Sequence, residues 1–344
     1  MPTPAPDLCR EVVLASLSHL ARPVDQEGYF AYAHPAGDVT AVHPGYNLLR
    51  HCGTLWFMAR AVTELPVAAD ADLIQALVRV TGRIGRKLAP PSWAAPDRPS
   101  LALVTKGAVK VGGIGLALLA LGEAQKIPSL QPLMADVLPH SLPETLSRLR
   151  QYALDEIDGD DFRHKRNFAS GEVLPFRSGY YTGEVIFGLL MTGLATEDLV
   201  RVTTALMQRG YGWAEQSHWM VYAACKAVES GVVTEALGSV YLSGLMQIML
   251  GDTSYRSRAQ STPIACRSEA LTRVLLLARA RPGLLDAGLL DHIRVHAAEN
   301  LVRQLKWYAD GQFWHGDDSR RVQIDYIQHN ATGFLQWLRL AEPA

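Results

Sequence analysis

Apolar residues recur along most of the chain at helical spacing, i, i+3, i+4 and i+7, whereas the alternation typical of strands is scarce. This pattern predicts helices in six pairs. The first helix of each pair has a charged face and is predicted at about 8–21, 70–89, 141–157, 196–210, 235–250 and 286–309. The second is richer in small and apolar residues and is predicted at about 46–63, 108–124, 181–194, 216–230, 266–281 and 326–340.

The difference between the two helices of a pair predicts where each one lies. A helix with one polar face belongs on the outside of a protein, whereas a helix that is apolar nearly all round must be buried. A linear stack of such pairs would need polar terminal repeats, which neither end of the chain offers. We therefore predict an all-α protein, an (α/α)6 barrel (toroid) of six helical hairpins, with parallel inner helices and a single domain over residues 1–344.

Three copies of an acid-Gly-x-Phe pattern fall between the two helices of pairs one, three and six. They are Glu27-Gly28-Tyr29-Phe30, Asp158-Gly159-Asp160-Asp161-Phe162 and Asp310-Gly311-Gln312-Phe313. An acidic residue before glycine is typical of turns, because glycine accepts a positive φ without a Cβ clash. The pattern predicts turns whose phenylalanine anchors the loop on the end of the barrel.

Composition narrows the classes of partner. The 344 residues are 48% hydrophobic and carry 33 basic and 34 acidic side chains, without a run of Lys or Arg, so we expect no nucleic-acid partner. No stretch of about 18 apolar residues occurs, and the N-terminus lacks a signal-peptide pattern, so we expect a cytoplasmic protein without a membrane partner.

The four cysteines, Cys9, Cys52, Cys225 and Cys266, lie far apart in the sequence. Without paired spacing they predict neither a disulfide framework nor a zinc site, and small core residues are the favoured interpretation. We expect no cofactor and no bound metal. The sequence leaves the oligomeric state open.

The six-hairpin pattern resembles the α/α-toroid group of proteins. This group includes six-hairpin glycosidases, α/α-barrel polysaccharide lyases, N-acylglucosamine-type sugar epimerases and terpene cyclases. The resemblance is architectural and covers nearly the whole chain. It implies a carbohydrate-active enzyme, and it identifies no single family.

A terpene-cyclase interpretation has two local resemblances. The segment from Gln304 through Gly311 to Trp314 resembles the glutamine–tryptophan repeat of those enzymes, and Asp158-Gly159-Asp160-Asp161 resembles their D-x-D-D motif. The repeat spacings are longer than in that family, and the Asp cluster is one of three equivalent turns. Cyclase chemistry is therefore the least favoured enzyme alternative.

Parallel inner helices would bring their N-termini to one mouth of the barrel, where unpaired N–H groups and helix dipoles favour anionic groups. The starts of these helices are unusually polar, so we predict a site there. The predicted substrate-binding residues are Tyr46, Asn47, Arg50, His51, Tyr181, His218, Trp219, Arg267, Glu269 and Gln328. The predicted ligand is a small molecule or an oligosaccharide, with an anionic substrate among the possibilities.

The candidate catalytic residues are Glu184, Asp325 and His329. Glu184 and Asp325 come from different inner helices and could face each other as the paired carboxylates that glycoside hydrolysis uses. His329 lies four residues after Asp325 and could be held by its carboxylate. Each residue also has a structural interpretation, as an N-cap, a dipole partner or a salt bridge.

Three functions remain open at this level. A glycosidase with paired carboxylates is favoured. A lyase or epimerase that acts next to a sugar carboxylate through His, Tyr and Arg is the second possibility. A non-catalytic toroid that binds a sugar or a protein is the third.

Overall fold

The computed structural model describes residues 3–41, 45–65 and 70–341. Its helices, in chain order, are α1 (Pro6–Ala21), α2 (Leu48–Glu64), α3 (Ala71–Gly85), α4 (Val111–Ala124), α5 (Gln131–Met134), α6 (Leu142–Asp155), α7 (Tyr181–Met191), α8 (Glu197–Gln208), α9 (His218–Glu229), α10 (Glu235–Gly251), α11 (Ser261–Ala280), α12 (Ala287–Gln304) and α13 (Ile324–Ala341). Short 3-10 turns cover Thr253–Ser257 and Leu305–Trp307. The mostly helical fold predicted from the sequence is confirmed.

The inner helices are α2, α4, α7, α9, α11 and α13, and they contact one another in a cycle. Helix α2 packs on α4, α4 on α7, α7 on α9, α9 on α11, α11 on α13, and α13 packs back on α2. All of α4 except Gly122 is buried, whereas the outer helix α12 buries only the stripe Ile293, Ala297, Ala298, Leu301 and Gln304. Helix α4 is buried on all sides and α12 on one face only, so the two helices lie in different layers.

Glycines allow two inner helices to approach closely, as the run of small residues in α4 indicates. A Cβ on Gly115 would lie 2.3 Å from the carbonyl oxygen of Glu184 in α7. A Cβ on Gly188 of α7 would lie 2.4 Å from the carbonyl oxygen of Gly115. Only glycine fits at both positions, because a Cβ would overlap backbone atoms.

Short strands occur in the connections, and the sequence pattern did not predict them. They are β1 (Ala33–Pro35), β2 (Leu88–Ala89), β3 (Ala102–Thr105), β4 (Ala108–Lys110), β5 (Ile157–Asp158), β6 (Asp161–Phe162), β7 (Lys165–Asn167), β8 (Tyr308–Ala309), β9 (Gln312–Gly316) and β10 (Ser319–Gln323). They form antiparallel sheets in the orders β1-β10-β9-β8, β2-β3-β4-β7 and β5-β6. Segments this short carry too few residues for a recognisable alternation.

The acid-Gly-x-Phe segments are turns, as predicted. Gly28, Gly159 and Gly311 have φ values of 75°, 57° and 79°. Phe30, Phe162 and Phe313 are all buried. The second and third copies are the turns of the β5–β6 and β8–β9 hairpins.

Helix α11 departs from its predicted start, since it begins at Ser261 rather than near residue 266. The Ser261 hydroxyl donates a hydrogen bond to the carbonyl oxygen of Trp314 at 2.7 Å, and Pro263 lies in the first turn, where proline is tolerated. The earlier start moves Arg267 and Glu269 from the head of the helix to its second and third turns.

Candidate active site

A cavity of about 600 Å³ opens where the inner helices begin, within the range of small-molecule sites. Five of the six inner helices contribute residues from their N-terminal turns or from the positions just before them, and α4 contributes Leu116. The predicted site residues that line it are Asn47, Arg50, Tyr181, Glu184, His218, Trp219, Asp325, Gln328 and His329. The predicted convergence of helix N-termini therefore builds one concave surface.

Four predicted residues do not line this cavity. The Tyr46 hydroxyl lies 2.6 Å from His51 Nδ1, and the other ring nitrogen of His51 lies 2.9 Å from the carbonyl oxygen of Val80. Arg267 packs its guanidinium on the Tyr255 ring and hydrogen-bonds Gln216. Glu269 is fully buried behind the cavity wall. These four support the site or its surroundings instead of facing the opening.

The buried Glu269 holds His329 in place. The Nδ1 atom of His329 lies 2.7 Å from Oε1 of Glu269, and the Tyr222 hydroxyl donates to Oε2 of Glu269 at 2.8 Å. Gln336 donates to the same hydroxyl and accepts a hydrogen bond from Thr272 at 2.7 Å. This chain of buried polar groups fixes the ring orientation of His329.

The expected pairing of His329 with Asp325 is wrong in this structure. Asp325 instead forms an ion pair with Arg50, whose Nε lies 3.1 Å from Oδ2, and accepts a hydrogen bond from the Gln323 side chain at 2.7 Å. Arg50 also donates to the Tyr32 hydroxyl at 2.9 Å. The i, i+4 spacing places Asp325 and His329 on one face of α13, but their charged partners lie on other helices. Asp325 pairs with Arg50, and His329 contacts Glu269.

His218 and His329 lie next to each other in the cavity wall, and their pKa values are shifted in opposite directions. Their ring centroids are 5.3 Å apart and nearly perpendicular. Burial and then the charge of His329 hold the pKa of His218 well below its usual value. Burial also acts to lower the pKa of His329, but Cys266 and the Glu269 carboxylate outweigh it and raise that pKa well above its usual value.

The unpartnered nitrogen of His218 completes this arrangement. Its Nε2 atom is buried and has no hydrogen-bond partner among the described residues. The two pKa shifts favour a neutral imidazole with a free nitrogen at His218 and a protonated imidazolium at His329. Two groups whose environments separate their pKa values are suited to act as a base and an acid.

Glu184 is a buried carboxyl group at the same surface. Burial raises its pKa to about 8, with the charge of His329 opposing the shift. Its Oε2 has no hydrogen-bond partner among the described residues, and a Cβ on Gly112 would lie 2.1 Å from that oxygen. Glu184 is therefore largely protonated at neutral pH and can donate a proton.

Cys266 lies at the cavity wall, which corrects its interpretation as a core residue. Cys9, Cys52 and Cys225 are buried as expected, but Cys266 is only partly buried and lines the cavity. Potential ligand atoms of Cys266, His218 and His329 lie within 4.8 Å of one another, a spacing that could hold a metal ion. A metal would bind the deprotonated forms of Cys266 and His329, and burial raises the pKa of the Cys266 thiol.

Aromatic rings form much of the remaining wall. Tyr180, Tyr181, Trp219, Tyr255 and Tyr326 line the cavity, and about half of the Tyr180 surface is exposed. Apolar ring faces beside polar groups are suited to the C–H faces of a sugar ring. Trp93, Trp213 and Trp314 do not line the cavity.

The Asp158–Asp161 turn, which resembles the D-x-D-D motif of terpene cyclases, does not line the cavity either. The carboxylate of Asp161 accepts a hydrogen bond from Thr182 and pairs with Arg177, and that of Asp160 pairs with Arg201. Gln304 is buried against Ser268. These contacts account for the acidic turn and Gln304 as structural groups.

Several residues of the site were missed from the sequence, above all Cys266, Tyr255 and Arg258. Cys266 had a detectable signal, since residues 266 and 269 are one helical turn apart and share a face of α11. Tyr255 and Arg258 come from the irregular connection between α10 and α11, where no periodic pattern points to the cavity.

No family model and no curated protein matches the sequence. Solved structures do match it. The crystal structure of D-mannose isomerase superposes with a TM-score of 0.67, covering 98% of this chain and 100% of the other at 12% identity. A cellulase of C. cellulolyticum superposes with a TM-score of 0.53, covering 99% of this chain and 100% of the other at 9% identity. The chain has an α/α-toroid fold.

This similarity confirms the architectural resemblance seen in the sequence. At such identities it establishes the fold and leaves the chemistry to the residues of the site. Among the described residues, no helix is both long and apolar enough to cross a membrane.

Proposed function

We propose that the protein is a sugar isomerase or epimerase, built on an (α/α)6 barrel, that moves a proton next to a carbonyl group of its substrate. The observation that carries the proposal is the pair of facing histidines, His218 and His329, whose pKa values shift in opposite directions. The cyclic packing of the six inner helices supports the barrel.

The two histidines divide the work of such a reaction. The neutral His218, with its free Nε2, removes the proton from the carbon beside the carbonyl group. The protonated His329 donates to the carbonyl oxygen, so that an uncharged enediol forms instead of an enediolate. Return of a proton to the former carbonyl carbon, with loss of the hydroxyl proton from the neighbouring carbon to a base, gives the isomer. Return of a proton to the opposite face of the original carbon, with the hydroxyl proton going back to His329, gives the epimer.

Other residues of the wall have supporting roles in this scheme. Protonated Glu184 can assist opening of the sugar ring by donating to the ring oxygen. Asn47 and Gln328 offer amide groups to the hydroxyls, and the tyrosines offer ring faces. A cavity of about 600 Å³ suits a monosaccharide or a disaccharide. D-mannose isomerase, which shares the fold, acts on a sugar of this size.

Hydrogen exchange with solvent tests the proposal. The protein would be incubated in D2O with a panel of aldoses and ketoses, and NMR would follow deuterium entering the carbon beside the carbonyl group. We expect exchange with at least one sugar, and its loss in His218→Asn and His329→Asn. His296→Gln on the outer helix α12 is the matched control, and melting temperatures verify that each variant is folded.

Hydrolysis by Glu184 and Asp325 is the second candidate, because Glu184 is protonated near neutral pH while Asp325 is paired as an anion with Arg50. It predicts release of reducing ends from glycosides without solvent exchange. Asp325→Asn would then abolish turnover while the two histidine variants retain part of it. A lyase would instead produce a conjugated alkene that absorbs in the near ultraviolet.

The absence of exchange, hydrolysis and elimination across these panels would favour the non-catalytic toroid. Binding of the same sugars, measured by calorimetry, would then be the remaining activity of the cavity.

A further inference from the structure

A second cavity, of about 410 Å³, lies beside the first, and we name it the basic cavity. It shares two lining residues, Asn47 and Leu49, with the main cavity. No acidic side chain of the described residues lines it. Its charged residues are Arg83, Lys87, Lys106, Lys110 and Lys165.

Two of these lysines are placed directly against each other. Lys110 at the end of β4 pairs in register with Lys165 at the start of β7, so both side chains leave the same face of the sheet. Like charges at directly opposed positions of an antiparallel pair destabilise the sheet. Burial, and then the charges of Lys165 and Lys106, lower the pKa of Lys110.

The repulsion is not relieved by acidic neighbours. Among the described residues, Lys87, Lys106, Lys110 and Lys165 form no salt bridge with an acidic side chain; the paired lysines are Lys126 and Lys306. Arg83 packs its guanidinium on the Tyr29 ring, 3.7 Å from its centre. Helix α4 begins directly after Lys110, so the positive end of its dipole adds to the same field.

Such a concentration of uncompensated positive charge at a concave surface fits an anionic ligand. A carboxylate carries only one negative charge, whereas a phosphate dianion carries two and is better matched to four lysine ammonium groups. Lysines bind phosphate as point charges. Because the basic cavity adjoins the site of proton transfer, the anion and the reacting sugar can belong to one molecule.

We propose that the basic cavity binds the phosphate group of a phosphorylated sugar whose carbonyl end lies against His218 and His329 in the main cavity. This inference rests on the proposed function for the reaction, but the phosphate site itself can be tested without turnover. It narrows the substrate class from sugars in general to sugar phosphates.

Binding is measured first, by calorimetry with inorganic phosphate and the full-length protein. We expect binding that weakens as salt rises, and a loss of affinity of about tenfold or more in the double variant Lys110→Gln/Lys165→Gln. Lys226→Gln, which removes a lysine near the C-terminal end of α9 that forms no salt bridge among the described residues, is the matched control and keeps the wild-type affinity.

Turnover is measured second, by comparing a hexose with its 6-phosphate in the deuterium-exchange assay. In the wild type, the KM of the phosphate ester should be lower than that of the free sugar. In the double variant, the KM of the phosphate ester divided by the KM of the free sugar should be about tenfold higher than in the wild type. Because the two lysines repel each other, the variant should melt at the same temperature as the wild type or higher.

The outcomes separate the two proposals. Phosphate binding that depends on Lys110 and Lys165, without exchange of any sugar, supports the basic cavity and overturns the isomerase. Exchange of neutral sugars without phosphate binding, or phosphate binding that the double variant leaves unchanged, overturns the inference about the basic cavity.

Discussion

The imidazole of His329 lies 2.7 Å from the buried carboxylate of Glu269, a residue 60 positions earlier in the chain. Glu269 is fully buried and is itself held by the Tyr222 hydroxyl. A carboxylate that cannot be hydrated stabilises the charged form of the imidazole that it contacts. This contact sets His329 apart from His218, although both rings occupy the same cavity wall.

Replacing Glu269 by glutamine should lower the pKa of His329, because the carboxylate that stabilises the imidazolium is removed while the size of the side chain is kept. Activity that needs protonated His329 is present below that pKa and is lost above it. The alkaline limb of kcat/KM should therefore move to lower pH, by roughly one unit or more. The His329 ring resonances in NMR should move in parallel.

The control for this change is Glu229→Gln, which removes a carboxylate that pairs with Arg273 and lies at the C-terminal end of α9, away from the cavity. It should leave the alkaline limb in place. An unchanged pH profile and an unchanged His329 titration in Glu269→Gln would contradict the role of the carboxylate.

Glu184→Gln should stabilise the protein, increasingly as pH rises. The pKa of Glu184 is raised from 4.5 to about 8, so between these values the native state binds more protons than the unfolded state and stability falls with pH. The glutamine lacks this penalty, which is of the order of 5 kcal/mol above pH 8. Urea unfolding at pH 5 and pH 8 measures the difference.

The matched control for the stability experiment is the exposed Glu172, whose replacement by glutamine should change stability equally at both pH values. A Glu184→Gln variant that is no more stable at pH 8 than at pH 5, relative to wild type, would show that this carboxyl group is ionised in the native protein.

Cys266 should be the first cysteine to react with iodoacetamide in the native protein. It lines the open cavity, whereas Cys9, Cys52 and Cys225 are buried. Since burial raises the pKa of its thiol, the reaction should be slow at neutral pH and faster at higher pH. Peptide mass spectrometry identifies the modified residue, and a bound sugar should slow its modification.

Modification of the three buried cysteines at the same rate as Cys266 would instead indicate alkylation of unfolded molecules. A Cys266→Ala variant, in which native alkylation disappears, provides the control.

Zinc should inhibit the protein rather than activate it. Binding to His218, Cys266 and His329 would require deprotonation of Cys266 and His329, so inhibition should be stronger at pH 8 than at pH 6. It should be weakened in Cys266→Ala. Prior dialysis against a chelator should leave sugar exchange unchanged; a loss of activity that zinc restores would assign the three residues to a catalytic metal.

The order of the helices could be predicted from the sequence because the burial of a helix shows in the polarity pattern of its own residues. A helix such as α4, apolar on every side, differs from α12 within one segment of chain, whatever its neighbours are. The turn glycines and the buried phenylalanines that follow them are likewise recognisable within a few consecutive residues. The short strands are not, since two to five residues cannot show a period.

The site was predictable only in its location. Parallel inner helices place their polar N-terminal residues at one mouth, and nine of the predicted residues line the cavity there. The partners of those residues could not be read from spacing. His329 shares a helical face with Asp325, yet it contacts Glu269 of α11, while Asp325 contacts Arg50 of α2.

The sequence by itself therefore determined the order of the helices, which of them are buried on all sides, and the end of those helices that carries the polar groups. Only the tertiary structure decided which histidine is neutral, which is charged, and that Lys110 lies opposite Lys165. The physical reason is that helical periodicity acts over a few residues, whereas pKa values and charge repulsion depend on burial and on atoms a few ångströms away that arrive from distant parts of the chain.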